Sequence, residues 1–184
     1  MASMTIRTTA AHEFTEDSLL AMPDGGNRYE VVDGSLVVTP SPLTRHQVAV
    51  GELHLVLRAA CPRELQVLLA PFDVRLSRTT VLIPDLLVAA RASLTEKNLP
   101  VAPLLAVEVL SPSTRHIDLG LKRSRYEAAG TAAYWVVDPA VPSIIAWELV
   151  DGVYVEAGRS EGADPIELDA PFPVRVVPEE LLDL

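Results

Sequence analysis

Two strongly apolar segments of the chain each contain a single carboxylate, and this feature most limits what the chain can fold into. Asp85 lies in the segment Val-Leu-Ile-Pro-Asp-Leu-Leu-Val-Ala, and Glu108 lies in Leu-Leu-Ala-Val-Glu-Val-Leu. Segments that are apolar on both faces are typical of central strands that are covered on each side. An ionised carboxylate buried in such a strand is costly unless it is paired or bound to a metal ion. If the two strands are neighbours, their carboxylates converge at the strand ends.

Two explanations account for this pair of carboxylates. Two hard oxygen ligands completed by water molecules are the usual way in which proteins hold Mg²⁺. Alternatively, each carboxylate pairs with an arginine as a structural ion pair. These two residues alone leave both explanations open.

The rest of the chain predicts an α/β fold of the mixed α+β type. Residues 1–13 are expected to form a flexible N-terminal arm, and residues 14–184 a single domain. Helices are predicted from Thr44 to about Ala60 and from Asp118 to Ala129, and a hairpin with an Asp-Gly turn is predicted over residues 29–38. Strands are predicted over residues 66–70, 72–76, 84–90, 104–110 and 133–138, followed by a second hairpin formed by 144–150 and 153–157.

Composition and charge exclude several classes of protein. No apolar run approaches the roughly 18–20 residues needed to cross a bilayer, no signal peptide is evident, and Cys61 is a lone cysteine. A cytoplasmic protein without a membrane partner is therefore expected. The formal net charge of −10 argues against sequence-independent coating of nucleic acid. A local anionic-substrate site remains compatible with the basic stretch at residues 115–125.

Lys122 stands out because the chain uses arginine as its default cation. Only two of the 15 basic residues are lysines, Lys97 and Lys122. Lysine and arginine are not interchangeable, since lysine offers a compact ammonium group. Helical spacing places Asp118, Lys122 and Arg125 on one face, so Lys122 is predicted to project from a definite side. The alternative is a solvated surface lysine.

The chain resembles the Uma2-type restriction endonuclease family of the PD-(D/E)XK nuclease superfamily, over about residues 14–180. The resemblance implies a restriction-endonuclease-like mixed central sheet flanked by helices, with an N-terminal hairpin and extra C-terminal strands. Pro84-Asp85 matches the PD element, and Glu108-Val109-Leu110 matches the (D/E)-x-K element with leucine in place of lysine. Lys122, on the following helix, is the candidate for the missing lysine. The segments that carry the resemblance are YEVVDG, the helix with His46, IPDLLVA, VEVLSPST, DLGLKRSRYEAAG and AYWVVDP.

The resemblance also implies a site and a reaction. Asp85, Glu108 and the carbonyl of Val109 would hold Mg²⁺ or Mn²⁺ for hydrolysis of DNA phosphodiester bonds. Glu30 and His46 are candidate outer members of this site. Their alternatives are a surface acid in a hairpin for Glu30 and an ordinary first-turn histidine for His46.

The sequence leaves three functions open. The first is a metal-dependent endonuclease that acts on DNA. Such an enzyme is compatible with a homodimer, but no residue of the sequence indicates one. The second is a catalytically silent nuclease-fold protein that binds nucleic acid or a protein partner. The third is a metal-assisted hydrolase of another phosphoester. Target specificity and biological role have no signal in the sequence.

Overall fold

The computed structural model describes residues 4–7, 13–23 and 26–182. Within these residues the chain forms two six-stranded sheets and a separate two-stranded sheet, so the mixed α+β class predicted from the sequence is confirmed. The elements in chain order are β1 (Thr5–Arg7), α1 (Glu16–Leu19), β2 (Arg28–Val32), β3 (Ser35–Thr39), α2 (Thr44–Ala60), β4 (Leu65–Leu69), β5 (Asp73–Ser77), β6 (Thr80–Leu82), β7 (Leu86–Ala90), a 3₁₀ turn (Arg91–Ser93), β8 (Asn98–Leu99), β9 (Leu105–Val109), a π-helical turn (Ile117–Lys122), α3 (Arg123–Ala129), β10 (Ala133–Asp138), β11 (Ser143–Val150), β12 (Val153–Glu161), β13 (Ile166–Leu168), β14 (Val174–Val176) and a 3₁₀ turn (Glu179–Leu182).

The central sheet has the strand order β12-β11-β10-β9-β7-β4. Its strands are antiparallel except for the parallel pair β9 and β10. Strands β7 and β9 lie inside this sheet and are buried on both faces, as their continuous apolar sequences predict. The central sheet is therefore the mixed sheet expected from the resemblance.

Helix α2 covers one face of the central sheet. Its apolar residues recur at helical spacing, and Leu53 and Leu57 have no solvent exposure. They pack against Leu86, Val88 and Leu105 of the sheet. Burial of each leucine contributes about 2–3 kcal/mol to the folded state, so this contact holds α2 against the central sheet.

The N-terminal sheet, of order β1-β3-β2-β6-β5-β8, covers the opposite face of the central sheet. Val32 and Leu82 from the N-terminal sheet share a core cluster with Ala106 and Tyr134 from the central sheet. A single mixed sheet was expected from the sequence, and the second sheet is a finding of the structure. The division places β2 and β9 on opposite sides of a common core, and the candidate site lies between them.

Part of the predicted N-terminal arm is ordered as a strand. Residues Thr5–Arg7 form β1, which pairs with β3. Residues 1–3 and 8–12 lie outside the described residues, so the arm as a whole stays a prediction. Across the described part of the chain, no helix combines the length and apolar character needed to span a membrane.

Candidate active site

Asp85 immediately precedes β7, and Glu108 lies in β9, the antiparallel neighbour of β7. The pairing of Leu86 with Val107, continued by one step, sets Asp85 opposite Glu108. Both side chains are buried, with exposures of 2% and 1%. The structure therefore brings together the two carboxylates that the sequence singled out, at the end of the β7–β9 pair.

Asp85 makes three contacts with its surroundings. Its Oδ1 accepts a hydrogen bond from Arg28 Nη1 at 2.7 Å, and its Oδ2 accepts one from the backbone N–H of Val109 at 2.8 Å. His46 Nε2, from the first turn of α2, lies 3.2 Å from the same Oδ2. Burial alone would raise the pKa of Asp85, but the contacts with His46 and Arg28 outweigh it and hold that pKa below its usual range. Asp85 is therefore ionised.

Lys122 is surrounded by three carboxylates. Its Nζ lies 2.9 Å from Glu30 Oε1, 3.1 Å from Glu108 Oε1 and 3.5 Å from Asp118 Oδ1. Burial lowers the pKa of the ammonium group, but the attraction of these carboxylates exceeds that effect, so the pKa lies above its ordinary value. Lys122 therefore carries its full charge inside the protein, where it is 1% exposed.

A π-helical turn presents Lys122 and Asp118 to the site. Residues Ile117–Lys122 are wound more widely than an α-helix and continue directly into α3. The hydroxyl of Tyr134 donates a hydrogen bond to the backbone carbonyl of Asp118 at 2.8 Å, which helps to hold this turn in place. Such π turns occur frequently at functional sites.

The donor groups of the cluster fit a divalent cation. In the described part of the chain, four carboxylates, those of Glu30, Asp85, Glu108 and Asp118, face two permanent cations, Arg28 and Lys122. Burial raises the pKa of Glu108 well above its ordinary value, and the neighbouring carboxylates add to this against the opposing effect of Lys122. Excess buried negative charge is what a divalent ion compensates.

The cluster is not a preformed metal centre. Within the described residues, no three His, Cys, Asp or Glu side chains are grouped as ligands of one ion. Among these same residues, Glu30 Oε2 and Asp118 Oδ1 are buried without a hydrogen-bond partner, and Asp118 Oδ1 has only the longer contact of 3.5 Å with Lys122 Nζ. The backbone N–H of Val109 donates a hydrogen bond to Asp85. The role of the Val109 carbonyl as a metal ligand stays a prediction.

Comparison with known proteins assigns the chain to a family. The family model described as "Uma2: Putative restriction endonuclease" matches residues 16–180. The chain belongs to the Uma2 family. Among solved structures it is similar to a putative nuclease belonging to DUF820 from Anabaena variabilis, with 17% identity, a TM-score of 0.70, and coverage of 92% of this chain and 97% of the other. No curated protein matches significantly.

Membership of the Uma2 family confirms the resemblance read from the sequence. The family and the fold support a nuclease, with a nucleic acid as the class of substrate. Restriction-endonuclease-like families generally use divalent metal ions, in agreement with the donor groups of the cluster.

The structure decides several alternatives left open by the sequence. Lys122 is not a solvated lysine, and Glu30 is not a surface acid, because each is 1% exposed. His46 does lie in the first turn of α2, as its alternative expected, and its Nε2 is also 3.2 Å from Asp85 Oδ2. Asp85 does have an arginine partner, Arg28, as the ion-pair explanation expected, whereas Glu108 contacts a lysine.

Two members of the cluster were missed in the sequence. Arg28 precedes the predicted hairpin and lies two residues before Glu30, so strand alternation would have placed both on one face. Asp118 was assigned to the face of Lys122 but not to the site. Arg125, predicted on that same face, instead bonds Asp33 at the surface at 2.8 Å.

Proposed function

We propose that this Uma2 protein is a Mg²⁺-dependent endonuclease that hydrolyses DNA phosphodiester bonds. The observation that carries the proposal is the contact of Lys122 Nζ with Glu108 Oε1 at 3.1 Å, beside Asp85 at the start of the adjacent strand β7. A carboxylate pair and an ammonium group are thus assembled in the family's motif region, although the motif position for lysine is occupied by Leu110.

Asp85, Glu108 and the Val109 carbonyl would hold the Mg²⁺ or Mn²⁺ ion. When bound, such an ion supplies Lewis-acid activation of the attacking water and neutralises charge on the phosphate. Glu30 orients Lys122 through the 2.9 Å contact and is itself held by the backbone N–H of Ile83 at 2.8 Å. His46 positions Asp85.

Lys122 would act as the catalytic lysine supplied from the helix. Its charge is fixed in place by three carboxylates, so it needs no reorganisation when negative charge develops on the phosphate. Leu110 is 5% exposed and packs in the core between the two sheets. The strand position that ordinarily bears the lysine is therefore occupied by an apolar side chain, and Lys122 supplies the ammonium group from another direction.

Substitution of Lys122 tests this role. Lys122→Gln keeps a hydrogen-bond donor for Glu30 and Glu108 but removes the charge, and we expect nicking of supercoiled plasmid in Mg²⁺ to fall about 10²-fold or more. Lys122→Arg is also expected to be poor, because a planar fork does not replace a compact ammonium group. The measurement is the initial nicking rate, with circular dichroism to verify folding.

Lys97→Gln is the matched control, since Lys97 is the other lysine and lies in an exposed loop. It should nick at the wild-type rate. An active wild type with an equally active, folded Lys122→Gln variant would contradict the proposed mechanism. A linear product would favour paired active sites in a homodimer, because both strands of the duplex are then cut together.

A catalytically silent nuclease-fold protein that binds nucleic acid or a protein partner is the second candidate. It is favoured by one observation: both oxygens of Asp85 are already occupied, by Arg28 and by Val109 and His46. This candidate expects no nicking by wild type in either Mg²⁺ or Mn²⁺, together with retained binding of a labelled duplex or of a protein partner.

A further inference from the structure

Arg28 is the most accessible cation of the buried cluster. Its side chain is 20% exposed, whereas that of Lys122 is 1% exposed. Arg28 Nη1 binds Asp85 Oδ1 at 2.7 Å, but its Nε stops 4.0 Å short of Glu30 Oε2. Arg28 Nε and Glu30 Oε2 are both buried, and neither has a hydrogen-bond partner among the described residues. The arginine therefore completes its contact with one carboxylate and not with the other.

This half-completed contact is unusual for a purely structural ion pair. A buried pair is retained at low cost only when its remaining donors and acceptors are satisfied. Val109 and His46 both lie against Asp85 Oδ2, so Oδ1 is the oxygen with fewer partners, and its partner is Arg28. The guanidinium and a divalent cation therefore compete for the same atom.

We propose that Arg28 occupies part of the cation's place in the metal-free protein, leaves Asp85 when the ion binds, and then binds a phosphate oxygen of the nucleic-acid backbone. This inference rests on the proposed function and names a residue that couples the filling of the site to substrate binding. Arg28 suits the second role because its planar fork matches phosphate geometry and because it reaches the solvent-facing side of the cluster.

The first test measures Mn²⁺ binding by isothermal titration calorimetry, with no substrate present. Arg28→Met removes the competing charge, and we expect Mn²⁺ to bind about tenfold more tightly, or better, than to wild type. Arg28→Gln removes the charge but retains a donor for Asp85, and it should show the same direction if the methionine variant does not fold. Arg28→Lys keeps the charge and should bind Mn²⁺ with nearly wild-type affinity.

Arg75→Met is the matched control. Arg75 also forms one ion pair, with Glu16 Oε2 at 2.8 Å, but outside the site. Its variant should bind Mn²⁺ as wild type does. Wild-type affinity in both Arg28→Met and Arg28→Gln would overturn the competition and leave Arg28 a structural residue. Absence of Mn²⁺ binding in every protein would contradict the metal site of the proposed function, and this inference with it.

The second test measures how Mn²⁺ changes the affinity for a short labelled DNA duplex. In the Lys122→Gln background, where cleavage is expected to be slow, fluorescence anisotropy should show about tenfold tighter binding when Mn²⁺ is added. Adding Arg28→Gln to that background should abolish this gain although Mn²⁺ still binds. An equal gain with and without Arg28 would overturn its role in phosphate binding.

Discussion

Asp85 and Glu108 are both buried carboxylates, but their partners differ, and the difference determines what each substitution does. Asp85→Asn leaves Arg28 without its ionic partner, and we expect a loss of about 2 kcal/mol because that arginine is only partly exposed. Glu108→Gln removes one of four crowded carboxylates, so stability should be equal or higher. Both variants should lose Mn²⁺ binding.

Calorimetric melting in the absence of metal checks this difference. For a chain of this length, the loss in Asp85→Asn corresponds to a decrease in Tm of about 4–8 °C. Equal decreases in Tm for Asp85→Asn and Glu108→Gln would mean that both carboxylates serve as structural ion pairs, and the proposed metal site would then have no support from stability.

At the residue scale, sequence reasoning located most of the site because burial makes a charged residue conspicuous. A carboxylate inside an apolar strand has few explanations, and a lysine in an arginine-rich chain is distinctive. Arg28 was missed because it is one of thirteen arginines, and only its partner, 57 positions away in sequence, makes it special. The predicted residues that the structure brings together are Glu30, His46, Asp85, Glu108 and Lys122.

At the element scale, two glycines make opposite contributions to their helices. Gly51 lies inside α2 on its exposed side, where an added Cβ meets no atom within 4 Å. Gly51→Ala should raise the free energy of unfolding by about 0.5–1 kcal/mol, because alanine loses less backbone entropy on folding. Gly130 ends α3 with a φ of 84°. Gly130→Ala should therefore lower the free energy of unfolding by about 1 kcal/mol, because alanine is strained in this left-handed conformation.

Urea unfolding of the two variants measures this contrast. Neither glycine contacts the candidate site, so both proteins should nick plasmid at the wild-type rate under conditions where they are folded. A destabilised Gly51→Ala variant would indicate that α2 is strained at this position, contrary to its regular helical form.

The elements themselves were predictable where periodicity is strong. The β2–β3 hairpin turns at Asp33 and Gly34, which have φ values of 49° and 73°, as a tight Asp-Gly turn requires. Strand β10 has the predicted bounds, Ala133–Asp138. Strand β12 runs four residues beyond its predicted end, because pairing with β11 continues to Glu161 through a bulge that no alternation pattern reveals.

The division into two sheets was not predictable, because alternation identifies the buried face of a strand and not its partner. Strand β6 is only three residues long, and Pro84 separates it from β7. The two strands read as neighbours in sequence, yet β6 pairs with β2 and β5 whereas β7 pairs with β4 and β9. Asp85 lies at this change of sheet, which is why it reaches partners in both.

At the scale of the whole molecule, internal pairing reduces the positive surface expected from the sequence. In the basic stretch at residues 115–125, Arg115 pairs with Asp138 and Arg125 with Asp33. Arg123 lies over the ring of Trp147, 5.1 Å from its centroid. Since the net charge is −10, association with DNA is expected to depend strongly on the metal ion rather than on a basic surface.

The buried carboxylate of Glu108 predicts how the stability of the protein without metal depends on pH. Burial raises the pKa of Glu108 well above its ordinary 4.5, so above about pH 4.5 the unfolded chain releases a proton that the folded chain retains. The contribution of Glu108 therefore destabilises the fold as the pH rises from 4.5 toward the folded pKa. Glu108→Gln, which is neutral at every pH, removes this dependence.

The difference in Tm between Glu108→Gln and wild type, without metal, isolates this effect from every other titrating group. It should be near zero at pH 4.5 and should grow in favour of the variant as the pH rises. Adding Mn²⁺ should raise the Tm of wild type more at pH 8 than at pH 5, because the ion and a proton compete for the Glu108 carboxylate and protons are scarcer at the higher pH. The variant should gain little at either pH. A pH-independent difference in Tm would show that Glu108 is ionised throughout this range, and Lys122 alone would then balance its charge.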